Sequence, residues 1–433
     1  MDPISLASIA IAGMFVLILL YVPIGVAMAI VGIVGVGFFS GVKPALTAIA
    51  AETVTAISSL DLAVIPLFLL MGNFASAAGI STDMYNLANG LLGRFRGGLA
   101  MATVGGCGLF GAICGSSFAT TATFGRAALP EMLKRGYAPT LATGCIAGGG
   151  TLGSLVPPSI ILVIYAIMAE QSIIELFVAA IIPAVVTILL YFIAISIYVR
   201  IKTSAGPSGE RTNARQLLKI ALKSWGAIFL LLAIAGGIYG GVFTVTEAAA
   251  LGAILSFLFA LLRRKLTPQL FWEALTDTAT TTAMIYTIII GASIFNYFIV
   301  LSHMPDVITK GILGSGWPTF LVFIVLLFVY IVLGSIFDTL AAMVITLPFV
   351  LPLIVDMGYS PVWWGIVNVV VIEIGMITPP IGINVFVLQG VSRDYPLSTI
   401  YKGIVPFLCA DIVRLAALVI FPVLSLWLLT LFR

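Results

Sequence analysis

The sequence predicts an all-α polytopic membrane protein, and its composition carries most of that prediction. The chain has 433 residues, of which 61% are hydrophobic and 9% are charged. Soluble domains average about 25% charged residues, and disordered chains combine low hydrophobicity with high charge, so both classes are excluded. The apolar residues form long unbroken runs, which indicate helices and not the alternating strands of a membrane barrel. The 43 glycines and 21 prolines are many for such helices, because helix breaks leave polar backbone groups that lipid cannot satisfy.

The charges and cysteines indicate neither nucleic-acid binding nor a metal site. The formal net charge is +3 and the 20 lysines and arginines are spread over loops, which argues against nucleic-acid binding. The cysteines lie in apolar runs without metal-binding spacing, so we expect buried small side chains; they are Cys107, Cys114, Cys145 and Cys409. No organic cofactor is expected. The N-terminal apolar run lacks a basic region followed by a cleavage site, and we expect it to be the first span.

Apolar runs between polar breaks predict ten membrane spans. These spans lie near 4–21, 23–40, 62–80, 138–165, 173–200, 225–240, 243–262, 281–301, 361–390 and 404–430. Two further apolar runs, 98–132 and 316–352, are rich in Gly, Ser, Thr and Pro, which is a poor composition for lipid-facing helices.

Loop charges orient these spans, because cytoplasmic loops carry an excess of Lys and Arg. The polar stretch 200–223 holds six Lys or Arg residues against one Glu, and residues 263–265 form a second basic cluster. Counting spans from these clusters puts both ends of 98–132 in the cytoplasm and both ends of 316–352 outside. We therefore predict two re-entrant helical hairpins that enter the membrane from opposite sides. Two tightly joined spans are the alternative for 98–132.

Two motifs recur in the same order, which indicates an internal duplication. GSSFATTA at 115–122 matches GSIFDTLA at 334–341 in five of eight positions, at an offset of 219. GSLVPPSI at 153–160 shares its Gly and both prolines with GMITPPIG at 375–382, at an offset of 222. Because the predicted hairpins enter from opposite sides, the halves form an inverted repeat, an architecture found in many secondary transporters.

This hypothesis divides the chain into four parts. They are N-terminal scaffold helices at 1–60, a first repeat with its hairpin at 61–200, a cytoplasmic linker with further scaffold helices at 201–280, and a second repeat with its hairpin at 281–433.

Each repeat carries hydroxyl side chains at a hairpin tip and a Pro-Pro pair in a later helix. The hydroxyl residues are Ser116, Ser117, Thr120 and Thr121 in one repeat and Ser335 and Thr339 in the other. Proline removes an amide donor, so nearby carbonyls lose their helical partners and need a cavity or a bound cation. Oxygen ligands suit hard cations, and helix N-termini favour an anionic group. Kinks packed on Ser, Thr and Gly are the alternative interpretation.

Asp338 is the most informative acidic residue, because a charge inside a membrane hairpin is costly and usually functional. At the offset of 219 it replaces Ala119 of the first repeat. We expect a role in sodium binding or in stabilising the hairpin, with a hydrogen-bonded structural Asp as the alternative. Asn73, which lies in an apolar run, is expected either to cap a helix or to reach the substrate.

Several other polar residues have structural interpretations. Asp411 and Arg414 are three residues apart on one helical face and should pair. Glu373 precedes the second Pro-Pro break and is interpreted as structural, with a proton site as the alternative. Arg126 and Glu131 should form the base of the first hairpin, unless Arg126 meets a substrate carboxylate.

Three further predictions rest on positions near the ends of the predicted spans. Glu247 should begin a helix, where the helix dipole favours an acid. His303 should lie at the membrane interface. Trp225, Trp363 and Trp364 should belong to aromatic belts.

Six stretches resemble the large membrane (M) subunit of tripartite ATP-independent periplasmic (TRAP) transporters. They are IPLFLLMGN (65–73), GSSFATTATFGRAALPEMLKRGY (115–137), GTLGSLVPPS (150–159), TVTEAA (244–249), GSIFDTLAAMVITLP (334–348) and ITPPIGIN (377–384). They occur in the family's order over nearly the whole chain. Val245 departs from the family's pattern, which has proline there, at a position outside both hairpins.

The resemblance implies an elevator-type, sodium-driven importer of a small organic acid, located in the bacterial inner membrane. It implies two partners, a small four-helix membrane subunit (Q) and a periplasmic substrate-binding protein (P). Two sodium sites are implied, one at Gly115, Ser116, Ser117, Gly153, Val156 and Pro158, and one at Gly334, Ser335, Asp338, Gly375, Thr378 and Pro380. Substrate is expected near Ser117, Thr120, Thr339 and Asn384, with Asn73 and Arg126 as further candidates.

Two other functions compete with this one. A sodium/dicarboxylate symporter of the citrate-transporter kind has similar inverted hairpins and works without a binding protein. An intramembrane enzyme needs a catalytic pair, and Asp338 has no evident second acid, so we expect no enzymatic activity. A tip lined by hydroxyl and backbone groups suits any carboxylate, such as a C4-dicarboxylate, a sugar acid, a keto acid or an aromatic acid.

Overall fold

The computed structural model describes residues 3–209, 213–392 and 394–432, which are almost entirely helical. The first eleven helices are α1 (Pro3–Leu19), α2 (Ile24–Ser40), α3 (Val42–Ser58), α4 (Val64–Ala78), α5 (Ile80–Leu92), α6 (Gly98–Cys114), α7 (Ser117–Ala127), α8 (Leu129–Lys134), α9 (Pro139–Leu155), α10 (Ile160–Met168) and α11 (Ile173–Ile201). The others are α12 (Ala214–Lys223), α13 (Trp225–Tyr239), α14 (Val245–Leu262), α15 (Pro268–Leu301), α16 (Met304–Gly314), α17 (Thr319–Ile336), α18 (Thr339–Asp356), α19 (Pro361–Met376), α20 (Ile383–Val391), α21 (Leu397–Ile420), α22 (Val423–Leu426) and α23 (Leu429–Phe432).

The length and apolar character of the helices confirm a polytopic membrane protein. Among the described residues, six helices are long and apolar enough to cross a bilayer: α11, α14, α15, α17, α18 and α21. Three further pairs, α4–α5, α9–α10 and α12–α13, are bent by 69°, 42° and 65° at short breaks, and counting each pair as one span gives up to nine. A multi-pass chain of helices is what the long apolar runs predict.

Both runs rich in Gly, Ser, Thr and Pro fold as helix-turn-helix units. The first comprises α6 and α7, which meet at Gly115 and Ser116, and the second comprises α17 and α18, which meet at residues 337–338. The predicted spans 138–165 and 361–390 are each interrupted by their Pro-Pro pair, so each becomes two helices, α9–α10 and α19–α20. Both Pro-Pro peptide bonds are cis.

Four helices and part of a fifth were not expected from the apolar runs. Helices α3, α5, α12 and α16 contain charged or polar residues that interrupt their apolar runs. Helix α15 begins at Pro268, well before the predicted start at 281, because Thr267 caps it and accepts a hydrogen bond from Leu270 N at 3.2 Å. It is continuous to Leu301, across the predicted boundary at 280.

Polar side chains begin several helices. Ser159, Ser172 and Thr244 each accept a hydrogen bond from the amide three residues on. Glu247 also accepts from Thr244 N at 2.8 Å, which completes a capping box. Such caps satisfy amides that have no partner within the helix, and the helix-starting role predicted for Glu247 is confirmed.

Small residues allow the closest helix crossings. A Cβ on Gly291 of α15 would collide with the carbonyl of Gly25 on α2, and a Cβ on Gly403 of α21 would collide with that of Thr140 on α9. Helix α14 contacts α4 about as extensively as α2 contacts α15. Close backbone approach at small residues is a common way in which membrane helices pack.

Two predictions about single side chains are wrong. Trp363 and Trp364 are fully buried and pack against Phe323 and against each other, so they belong to the protein core and not to an interfacial belt. Trp225 is 55% exposed, as a belt residue should be. Cys409 is exposed on the outer face of α21, whereas the other three cysteines are buried as expected.

Candidate functional site

The first hairpin turns at Gly115 and Ser116. Gly115 adopts a left-handed conformation with φ +61°, which ends α6, and glycine adopts that conformation without strain. Ser116 caps α7, its hydroxyl accepting from Ala119 N at 3.4 Å. The Thr120 hydroxyl donates to Ser116 O at 2.8 Å. The turn is therefore ordered by its own hydroxyl residues, and it presents the N-terminus of α7.

This turn lies directly against the break between α9 and α10. A Cβ on Gly153 would lie 2.5 Å from Ser116 O, and one on Gly115 would lie 3.4 Å from Pro158 O. A side chain at Gly153 would therefore separate the hairpin from the broken helix, whereas the distance between a Cβ on Gly115 and Pro158 O is that of an ordinary contact. The structure brings together Gly115, Ser116, Gly153 and Pro158. These are four of the residues that the family resemblance implies for the first sodium site.

The second hairpin contacts the α19–α20 break through glycine as well. A Cβ on Gly375 would lie 2.7 Å from the Cα of Gly334. Across the same junction, Gly382 N donates to Ser335 O at 3.1 Å. Asp338 caps α18, its carboxylate accepting from Ala341 N at 3.1 Å. The predicted residues Gly334, Ser335 and Gly375 thus lie at one junction, with Asp338 at the start of the following helix.

The caps change which residues correspond between the two hairpins. Ser116 caps α7 and Asp338 caps α18, so these two residues are equivalent at an offset of 222. The match of Asp338 with Ala119, which follows from the motif offset of 219, is therefore wrong. At an offset of 222, Ser117 corresponds to Thr339. The two hairpins are then related by the same offset as the two Pro-Pro breaks.

Prolines deprive two carbonyls in each break of their helical amide donors. Pro157 and Pro158 follow Gly153 and Ser154 by four residues, and Pro379 and Pro380 follow Gly375 and Met376 likewise; proline has no amide hydrogen. Two of these carbonyls find other partners, since Ser159 Oγ donates to Ser154 O and Thr378 N donates to Gly375 O at 2.9 Å. The other two carbonyls, those of Gly153 and Met376, have lost the amide donor that an unbroken helix would supply.

The oxygen atoms at these junctions suit a hard cation. The described residues contain no group of three His, Cys, Asp or Glu side chains arranged for a metal ion. A cation at either junction would instead be held by backbone carbonyls and hydroxyls, which are the oxygen ligands that hard cations prefer. Val156 ends α9 in an extended conformation and Thr378 Oγ1 donates to Ile374 O at 2.5 Å, so both predicted residues lie at the breaks.

The two hairpin tips meet at Met376. The Met376 sulfur lies 2.7 Å from Thr339 Oγ1 and 3.9 Å from Ser117 Oγ, and all three residues are buried. A cavity of about 80 Å³ lies between the tips and is lined by both of them, with Ser117 on one side and Asp338 on the other. A small molecule in this cavity would contact the N-termini of α7 and α18 together.

A larger cavity of about 440 Å³ adjoins the first, and the two share Ser116 and Phe118 as lining residues. Arg126 lines it, and Asp277 of α15 lies on its wall. Asn73 lines it as well, but its amide donates to Thr278 Oγ1 at 3.0 Å and to Ala274 O at 3.3 Å, which ties α4 to α15. Asp277 was not found from the sequence, because its segment was not recognised as helical.

The remaining predicted substrate residues differ in their surroundings. Thr120 is buried, and its hydroxyl lies 3.1 Å from Cys114 Sγ. Asn384, the second residue of α20, is fully buried, and neither of its side-chain polar atoms has a hydrogen-bond partner. A buried amide without partners is costly, so Asn384 is suited to receive a polar ligand.

A family model decides what kind of protein this is. The model of the tripartite ATP-independent periplasmic transporter, DctM component, matches residues 11–424. The chain belongs to this family. The resemblance found in the sequence is therefore confirmed, and this DctM-family chain is a multi-pass subunit of a TRAP transporter.

Relatives in the DctM family match over most of their length. The chain is 35% identical to the C4-dicarboxylate TRAP transporter large permease protein DctM of Pseudomonas aeruginosa, over 84% of each chain. It is 34% identical to the protein of that name from Vibrio cholerae, over 98% of each chain. Among solved structures, the YdaH transporter of Alcanivorax borkumensis is similar with a TM-score of 0.60 at 14% identity, covering 89% of this chain and 88% of that one. That likeness shows the fold.

A buried charge cluster lies outside both junctions of this DctM-family chain. Asp411 and Arg414 on α21 pair at 3.0 Å, which confirms that prediction, and Glu373 on α19 lies 3.9 Å from Arg414. Tyr191 donates to Asp411 at 2.8 Å, and Arg414 donates to Thr187 at 2.8 Å. All five residues are buried, so the cluster joins α11, α19 and α21.

Two further predictions concern charged residues near the surface. Glu131 pairs with Arg135 at 2.7 Å. Arg126 faces the larger cavity. His303 is exposed at the start of α16, 3.5 Å from Asp306, in agreement with an interfacial position.

Proposed function

We propose that this DctM-family chain is the permease of a sodium-coupled TRAP transporter that imports an organic acid. The observation that carries the proposal is the meeting of two hairpin tips, at Ser117 and Thr339, around one cavity. In the proposed assembly, a periplasmic binding protein delivers the acid and a small four-helix membrane subunit completes the permease. The complex resides in the bacterial inner membrane.

A carboxylate suits the electrostatics of the cavity. Helices α7 and α18 both begin at it, and the N-terminal end of a helix carries partial positive charge. Arg126 lines the adjoining cavity together with Asp277 and supplies a full positive charge there, and a sodium ion at the second junction would offset the charge of Asp338. The two relatives described above are named for C4-dicarboxylates, which supports a carboxylate substrate without identifying it.

The proposed sodium sites are the two junctions between hairpin and broken helix. Gly115, Ser116, Ser117, Gly153, Val156 and Pro158 would hold the first ion, and Gly334, Ser335, Asp338, Gly375, Thr378 and Pro380 the second. A bound cation would supply positive charge between the oxygen atoms of the hairpin and those of the broken helix. The protein supplies the oxygen atoms, and its glycines allow the two backbones to come within contact distance.

The helix order supports an inverted repeat. Helices α6–α7, α9–α10 and α11 have counterparts in α17–α18, α19–α20 and α21, with the breaks related by one offset. The crossing of α2 with α15 and that of α14 with α4 relate the two halves in the same reciprocal way. We propose that the hairpins and broken helices move together against the other helices, as an elevator, which exposes the cavity to each side in turn.

Reconstitution tests the proposal against the citrate-transporter-like symporter. The binding protein encoded beside this chain is purified, and mass spectrometry identifies the acid that it retains. Uptake of that radiolabelled acid is then measured in vesicles containing this chain with its small membrane subunit, under an inward sodium gradient.

The two functions predict different requirements. A TRAP permease needs the binding protein, the small subunit and the sodium gradient, and omission of any one should abolish uptake. Uptake by this chain alone, supplied with free acid, would support the symporter. Full uptake with potassium in place of sodium would exclude sodium coupling.

A further inference from the structure

A groove on the outer surface lies between α11, the start of α6 and the loop that joins α5 to α6. It has a volume of about 390 Å³. Leu92, Met101, Phe192 and Val199 give it an apolar lining, and Arg96 and Arg200 line it as well. Because Arg200 is in the last turn of α11, the groove extends along the membrane-spanning part of that helix and ends at its polar terminus.

The loop that carries Arg96 is fixed by hydrogen bonds. Gly209 N donates to Gly93 O at 3.2 Å, and Arg96 forms a backbone bridge with Ser208. Tyr137 contributes to the same platform, donating to Pro207 O at 3.0 Å and accepting from Leu99 N at 3.1 Å. These bonds hold the segment that follows α11 against the α5–α6 loop, so Arg96 and Arg200 stay at the same end of the groove.

Positive charge at this end is not neutralised within the described part of the chain. Arg94, Arg96, Arg200 and Lys202 occur in none of the ion pairs found there. Arg94 lies over the ring of Phe95 at 4.9 Å, and Lys202 lies over that of Tyr198 at 5.3 Å. Glu210, the acidic residue next in sequence, lies outside the described residues.

We propose that the groove binds an anionic phospholipid, with its phosphate at Arg96 and Arg200 and an acyl chain along α11. Guanidinium groups bind phosphate oxygens in a fork geometry, and basic pockets between membrane helices bind anionic headgroups. The apolar walls next to Phe192 and Val199 suit an acyl chain, which a soluble phosphate lacks. This side is the cytoplasmic one by the loop charges, and the proposal does not depend on the transported substrate.

Photolabelling with lipid analogues tests the site. The full-length chain is placed in nanodiscs containing a trace of photoactivatable phosphatidylglycerol or phosphatidylcholine, and the labelled peptides are mapped by mass spectrometry. Phosphatidylglycerol should label residues 192–200, and phosphatidylcholine should not.

Two double variants make the test specific to the proposed arginines. Each basic residue near a headgroup strengthens binding, so Arg96→Gln/Arg200→Gln should weaken phosphatidylglycerol labelling about 30-fold. The matched control, Lys223→Gln/Lys265→Gln, removes two basic residues of the same predicted membrane side and should leave it unchanged. Arg96→Lys/Arg200→Lys keeps both charges but loses the fork geometry, so its labelling should lie between that of the natural chain and that of Arg96→Gln/Arg200→Gln when the thermal unfolding temperatures of all variants agree.

Three results would overturn the proposal. Equal labelling by phosphatidylcholine would mean that the groove holds bulk lipid without headgroup selection. Undiminished labelling of Arg96→Gln/Arg200→Gln would remove the arginines from the site. Competition by free glycerol phosphate would identify a soluble phosphate as the ligand in place of a lipid.

Discussion

Ser117 and Thr339, one at the tip of each hairpin, approach the same sulfur atom, that of Met376, at 3.9 Å and 2.7 Å. Their helices α7 and α18 come from distant parts of the chain, and each begins at this point. A movement of either hairpin therefore changes the surroundings of the other. This contact gives the proposed transport site a physical link between its two halves.

Asp338 tests whether the charge of the second hairpin serves sodium. Asp338→Asn should express and fold, because Asn caps helices about as well as Asp, but it should lose sodium-dependent uptake. Asp338→Ala should also lose the bond to Ala341 N, which costs about 1 kcal/mol of stability. Uptake as a function of sodium concentration, with thermal unfolding in detergent, separates the two effects. Asp338→Asn with wild-type uptake and unchanged sodium affinity would rule out the role.

Gly153 tests the contact between the first hairpin and the broken helix. In Gly153→Ala, the new methyl group would lie 2.5 Å from Ser116 O, so the hairpin must move and uptake should be lost. The control is Gly37→Ala on α2, where a Cβ meets nothing within 4 Å and the helix should gain up to about 1 kcal/mol. Both variants are assayed for uptake and for thermal stability. Retention of full uptake by Gly153→Ala would show that the close approach is dispensable.

Arg414 tests the energetic role of the buried charge cluster. Arg414→Met leaves Asp411 without its guanidinium partner, and breaking a buried pair in this way costs about 3–5 kcal/mol. Glu373→Gln should cost far less, since the carboxylate of Glu373 accepts no hydrogen bond and lies 3.9 Å from Arg414. The unfolding temperatures of the purified variants provide the comparison. Equal losses in both variants would mean that the contact with Glu373 accounts for the whole contribution of Arg414 to stability.

Arg126 tests the approach of the substrate. Arg126→Gln should raise the KM for the transported acid about tenfold or more, because hydrogen bonds to charged groups are stronger than neutral ones. It should leave the maximal rate nearly unchanged. Arg135→Gln is the control, since Arg135 pairs with Glu131 on the surface. A lower maximal rate at unchanged KM would mean that Arg126 acts in the conformational change of the transporter and not in substrate binding.

The sequence was sufficient for the fold class and for the position of both helix breaks. Long apolar runs identify membrane helices whatever their packing, and Pro-Pro pairs interrupt helices for a local covalent reason. The motif match was less reliable for deciding which residues of the two hairpins correspond. The Gly-Ser pair lies at the turn in the first hairpin but within the last turn of α17 in the second. Only the caps, Ser116 and Asp338, reveal the common offset of 222.

Tertiary surroundings explain the other differences. Trp363 and Trp364 lie near a helix start, which resembles an interface in sequence, but their burial depends on α17 packing across them. Asp277 lies in a polar segment without a long apolar run, so the extension of α15 and the cavity wall that it forms were not evident. Met376 could have been suspected, because it lies two residues before the Thr-Pro-Pro break, but its contacts with both tips join segments that are distant in the sequence.

The stoichiometry of sodium binding tests the central claim most directly. Equilibrium binding of radioactive sodium to the purified full-length chain should saturate at two ions per chain. Gly153→Ala and Gly375→Ala, each of which crowds one junction, should each retain one ion. Absence of saturable sodium binding, or wild-type stoichiometry in both variants, would contradict the assignment of one cation site to each hairpin.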